Sequence, residues 1–164
     1  MHLFYQYKME YAVDMVGFKQ MGGDYILKEI AIIPLNHSGD PIVCLFKKPF
    51  PWHRLSAELQ AENNWLKYNY HGISWNADGL DYSQIGHLLR QSFHDANKIL
   101  VIDELKKKWL QRFHLPVNNI QQYNYQSKSS VKCVTICTNH NPMYKTNCAL
   151  HNVHLMKLFY QSKK

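Results

Sequence analysis

Apolar residues run almost unbroken through the first third of the chain and then change period. The stretches "YAVDMVGF" (11–18), "YILKEIAIIPL" (25–35) and "PIVCLFKK" (41–48) are rich in β-branched and aromatic residues. The turn signals "QMGGD" and "NHSGD" separate them, which predicts a three-strand antiparallel meander. After the Pro-bounded loop "KPFPWHRL", Ser56 stands ready to cap a short helix over "SAELQAENNWLKY". Ile85, Leu88, Leu89 and Phe93 then recur at helical spacing in "DYSQIGHLLRQSFHDA", with Asp81 as the candidate cap.

The apolar run "KILVI" (98–102) predicts a buried parallel strand. Asp103 should cap a helix over "ELKKKWLQRF" whose Leu105, Trp109 and Phe113 face inward and whose Lys106, Lys107 and Lys108 mostly face out. A polar loop, a strand over "VKCVTIC" (131–137) and a last helix from Cys148 through "ALHNVHLMKLFY" complete the order. Strands in a meander followed by alternating helix and strand predict an α/β protein whose mixed sheet is flanked by helices. Neither a repeat nor a long linker breaks the chain, so its 164 residues are read as a single domain over 1–164.

Composition narrows the partner. A net charge of +7, eleven tyrosines and four tryptophans fit a nucleic-acid partner better than an acidic or neutral surface would. In the aromatic loop, Trp52 could stack on a base beside Lys47, Lys48 and Arg54, while Lys106, Lys107 and Lys108 would meet phosphates. More often such prolines and rings simply close a sheet's edge. No stretch is apolar enough to span a membrane, and the charged start predicts a cytoplasmic or nuclear location.

Candidate chemistry lies near the carboxyl end. In "CTNHNPMYKTNC" the residues Cys137, His140 and Cys148 offer two thiols and an imidazole. In a reducing compartment such a set points to zinc, whereas Cys44 in "PIVCLF" reads as an inert core thiol. The fourth ligand has three candidates. Strand alternation places Glu29 on a buried face with Leu27, Ala31 and Ile33, where a carboxylate needs a metal or an ion partner. His151 and Cys133 are alternatives close in sequence.

The order of "VDMVGF", "LKEIAII", "YHGISW" and "NCALHNVHLMKL" resembles the RNase H-like superfamily in its exonuclease form. That resemblance implies an RNase H-like sheet and a two-metal site of acidic residues, of which only Asp14 survives as a remnant. Val16 stands for the partner glutamate, Lys106 falls at or near the middle acidic position, and Asn147 and Asn152 replace the last His and Asp. One carboxylate cannot hold a magnesium pair.

These losses are similar to those of the Maelstrom domain of the Piwi-interacting RNA pathway. That family carries a Glu-Cys-His-Cys zinc set, which the resemblance maps onto Glu29, Cys137, His140 and Cys148. It implies a structural zinc, single-stranded RNA as partner, a protein partner in RNA silencing or a mobile-element context, and RNA cleavage without the two-metal carboxylates. Two other readings of the same residues are a divergent metal-dependent 3′–5′ exonuclease using Asp14 with Glu29 or Asp103, and a protein-interaction module.

Overall fold

A computed structural model describes residues 8–125, 137–141 and 147–163. Its five strands are β1 (Met9–Lys19), β2 (Tyr25–Pro34), β3 (Ile42–Leu45), β4 (Ala96–Val101) and β5 (Val117–Asn119). They form one sheet in the order β3-β2-β1-β4-β5. The β1–β2 and β2–β3 pairs are antiparallel, as the meander required. β4 lies parallel to β1, and β5 parallel to β4, so the sheet is mixed.

The α-helices among the described residues are α1 (Ala57–Leu66), α2 (Ile85–Ser92), α3 (Glu104–Gln111) and α4 (Ala149–Ser162). They cover both faces. On one face Val13, Met15, Ile30 and Ile99 meet Leu89 of α2 and Leu110 of α3. On the other, Ala12, Ala31, Ile33 and Leu100 meet Val153 and Met156 of α4. With both faces covered, the central strands have no solvent side, which explains their near-continuous apolar runs.

Several local expectations hold. Ser56 Oγ accepts from the Leu59 backbone N–H at 3.2 Å, and Asp103 Oδ1 accepts from that of Lys106 at 2.9 Å. Helix α4 begins one residue after Cys148. Others need correction. Asp81 makes no side-chain cap; it precedes a single 3-10 turn, Tyr82–Gln84, that leads into α2. The second parallel strand is β5, three residues within what the sequence offered as polar loop. The expected strand 131–137 lies outside the described residues except for Cys137, as does Cys133.

Two backbone irregularities position the site. Between β1 and β2 the register passes from Val16↔Glu29 to Gly17↔Leu27, leaving Lys28 as the extra residue of a β-bulge. Strict alternation therefore fails at this point. Leu27 joins the core under α2 and α3, whereas Ala31 and Ile33 join the core under α4. The bulge requires Gly17, because a Cβ there would sit 1.9 Å from the Ile26 carbonyl oxygen.

The second irregularity is a π-helical turn, Lys67–His71, that continues α1 and ends at Gly72 with φ of 66°. It carries His71 into the interior, where burial is complete. His71 Nε2 donates to the Gly17 carbonyl at 3.0 Å and Nδ1 accepts from the Ile73 N–H at 3.0 Å, which fixes a neutral tautomer.

Candidate functional site

The bulge delivers Glu29 to the α4 side of the sheet with no exposed surface. Four polar groups surround its carboxylate. Asn139 Nδ2 lies at 2.8 Å and Cys137 Sγ at 3.6 Å from Oε2; His140 Nε2 at 3.0 Å and the Ala149 backbone N–H at 3.2 Å from Oε1. Ala149 opens α4, so a free helix-terminal N–H also helps to offset the buried charge. Burial alone would raise the Glu29 pKa, but His140, Asn139 and Ala149 outweigh it and lower it.

Cys137, His140 and Cys148 complete the cluster. One ligand atom from each of these and from Glu29 all lie within 4.8 Å of one another, so the four residues could hold a metal ion. Among the described residues His151 does not belong to this group, its buried Nδ1 having no partner; Cys133, the other candidate, lies outside the described residues.

The surrounding shell orients the donors. His140 Nδ1 donates to the backbone carbonyl of His71, leaving Nε2 directed at the cluster. That is how metal-binding histidines are commonly held. A hydrogen bond from Cys148 draws the Cys137 thiol down to about 5, with further help from His140 and the Asn139 N–H. Burial opposes a charge on His140, yet its bonds to Cys137 and Glu29 raise its pKa to about 10. The same bond to Cys137 pushes Cys148 upward, with burial acting in the same sense. A metal bound here would displace the protons of Cys148 and His140.

The positions that the exonuclease resemblance aligned also meet, one strand away. Asp14 is fully buried on β1, paired with Ala31 of β2. Lys106 Nζ lies 2.6 Å from Asp14 Oδ1, and Asn152 Nδ2 donates to Asp14 Oδ2 at 2.7 Å. The Asn152 amide also donates to Asn147 Oδ1 at 2.7 Å, and Asp103 Oδ2 stands 4.0 Å from the ammonium. Val16 contributes only a buried apolar side chain. A lysine cation thus satisfies the carboxylate. Burial disfavours its charge, but Asp14 more than compensates and holds its pKa above the ordinary lysine range.

This corrects the reading of α3. Lys106 does not face out: its side chain is 13% exposed, whereas Leu105 is 56% exposed. The inward stripe is Lys106, Trp109, Leu110 and Phe113 at spacings of three, four and seven. A charged residue on that stripe is invisible to a search for apolar periodicity. Its partner was the available signal, since Asp14 stands in a run that had to be buried.

The other expected contact residues split between the two edges of the sheet. Lys47 and Lys48 follow β3. The first lies 3.9 Å from Asp78 and from Asp81, and Lys48 Nζ donates to Asn76 Oδ1 at 2.7 Å. Trp52 is half-buried, edge-on to Trp75 with ring centroids 5.3 Å apart, and Arg54 is exposed nearby in sequence. Lys107 and Lys108 belong to α3, which packs on β4 and β5; Lys107 stands 3.9 Å from Glu104. Cys44 is half-buried on β3 with its thiol pKa raised by burial, in keeping with an unreactive role.

Sequence reasoning missed Asn139 and the Ala149 N–H, whose roles depend on tertiary approach. It also missed exposed Trp65, Tyr68 and Tyr70, because they lie in a segment read only for its helix. Among the described residues no helix is long and apolar enough to cross a membrane. Comparison with protein-family models, with curated proteins and with solved structures finds no match for this chain.

Proposed function

We propose that this is a zinc-stabilised, RNase H-like domain that has lost two-metal nuclease chemistry and binds nucleic acid, preferably single-stranded RNA. The observation that carries this reading is the Asp14–Lys106 pair. Three positions that would supply carboxylate or histidine ligands hold Lys106, Asn147 and Asn152; Lys106 and Asn152 reach the one carboxylate that remains, and Asn147 accepts from Asn152. An ammonium 2.6 Å from Asp14 supplies the positive charge that a divalent ion would otherwise bring. The strand order and the mixed strand directions support the RNase H-like assignment.

Zinc is the metal that suits the cluster best. Two thiols, one imidazole and one carboxylate form a borderline-soft donor set, and magnesium or calcium would demand oxygen ligands. Four protein donors leave no position for water or substrate, so the ion's role is structural. It would join β2 to the start of α4, segments more than a hundred residues apart. This donor set is also what supports the Maelstrom resemblance, and with it an RNA-silencing or mobile-element setting.

The test is a binding and digestion assay on labelled single-stranded RNA. Binding should weaken steeply with salt, by a logarithmic slope of roughly −0.7 for each phosphate contact. Adding Mg²⁺ or Mn²⁺ should produce no digestion from the 3′ end. Digestion that Asp14→Asn abolishes would establish the exonuclease reading instead. Absence of RNA binding at any salt, with capture of a protein partner, would favour the interaction-module reading.

A further inference from the structure

The cleft between α1 and the loop around Trp75 has a chemistry that neither the metal cluster nor the Asp14 site uses. Its volume is about 250 Å³, and Trp52, Trp75 and Phe18 wall it while Asn64, Lys67 and Asn76 contribute polar groups. That volume lies just under the range of roughly 300–1,000 Å³ for drug-sized ligands, which suits a single planar ring system. Trp75 is 4% exposed, and its indole Nε1 is buried with no hydrogen-bond partner. Buried indole N–H groups ordinarily find a partner.

The neighbouring asparagines sort into two kinds. Asn63 is committed to the backbone of Lys19, accepting from its N–H at 2.8 Å and donating to its carbonyl at 2.9 Å. Asn64 comes next, is exposed, and lines the cleft; among the described residues no hydrogen bond engages its amide. A free amide offers both a donor and an acceptor in one plane, which matches the edge of a nucleobase. Cations flank it: Lys67 lines the cleft, and Lys48 reaches Asn76 on its rim.

We infer that this cleft seats one unpaired base of a single nucleic-acid strand, with the base against Trp52 and its edge read by Asn64. Lys67 and Lys48 meet the flanking phosphates, and the Trp75 ring forms the inner wall of the recess. The inference rests on the nucleic-acid reading proposed above and adds where a base is held. It also changes the role of Trp52, from an open stacking platform to one wall of a recess.

The test uses the full chain and two probes. In the first, uridine and adenosine 5′-monophosphates are titrated into ¹⁵N-labelled protein while the indole N–H signals of its four tryptophans are followed. Those of Trp52 and Trp75 should shift together and that of Trp109 should stay. In the second, a hexauridylate strand is compared with an abasic chain of equal length. The base-bearing strand should bind at least tenfold more tightly, a difference that Asn64→Ala at an exposed position should reduce, whereas Lys67→Glu should weaken both strands. Equal affinity for the two strands, or a Trp75 signal unmoved at saturation, overturns the cleft and leaves the wider nucleic-acid reading standing. Failure of both strands to bind overturns both.

Discussion

Replacing Lys106 with methionine keeps the unbranched stem, one atom shorter, and removes its charge. Asp14 then remains with no exposed surface and with Asn152 as its nearest donor. At 2.6 Å the attraction of the pair is about 6 kcal/mol at an effective dielectric of 20. Desolvation of both ions offsets part of that, and breaking one side of a buried pair costs roughly 3–5 kcal/mol. The opposite substitution, Asp14→Asn, should cost only about 1–2 kcal/mol. Lys106 is partly exposed and retains Asp103 at 4.0 Å, so it can turn to water. The double variant should therefore be more stable than Lys106→Met alone. Urea denaturation of the three variants measures this directly, with a coupling free energy of about 2 kcal/mol expected. A Lys106→Met cost below about 1 kcal/mol, or strict additivity, would show that the lysine does not stand in for a cation.

Three further outcomes are expected. Protein purified without chelator should carry close to one zinc per chain by elemental analysis, and Cys148→Ser should lower both zinc content and the thermal midpoint. Glu29→Gln should also weaken zinc binding while His151→Ala leaves it intact; the reverse pattern would move the fourth ligand. Gly17→Ala should destabilise by about 2 kcal/mol or more in denaturant titration, because its methyl group would collide with the Ile26 carbonyl and the bulge must shift. Burial holds the His71 pKa at about 4, against an ordinary 6.5. The lowered pKa gives stability that is complete above about pH 6.5 and is lost as pH falls toward 4. Linkage sets the loss between pH 7 and pH 5 at about 2 kcal/mol. An NMR titration of the His71 ring near 6.5 would remove that contribution.

The meander, the parallel β4 and the start of α4 were legible in sequence because long apolar runs and turn residues determine them locally. The cluster of Glu29 with Cys137, His140 and Cys148 was legible for a related reason. A carboxylate in a strand with no polar face needs a partner, and Glu29 held that position whether or not the alternation around it was right. The alternation was wrong at Leu27 because the bulge at Lys28 depends on an approach between β1 and β2 that only Gly17 permits. Lys106 was misread for a different reason. Its inward turn is decided by Asp14, 92 residues earlier, and no pattern within α3 contains that information.

The hydrogen bonds around His140 close on themselves. His140 joins Glu29, then the His71 carbonyl; the His71 ring joins Gly17, and Gly17 borders the bulge that carries Glu29. Separations along this circuit are 111, 69 and 54 residues. Every link closes a long loop, so the circuit can form only after the sheet and α1 have brought its parts together. Interactions made after the rate-limiting step change the unfolding rate and leave the folding rate nearly untouched. A circuit that closes after that step would act as a late latch, so that His140→Ala should speed unfolding and leave the folding rate nearly unchanged.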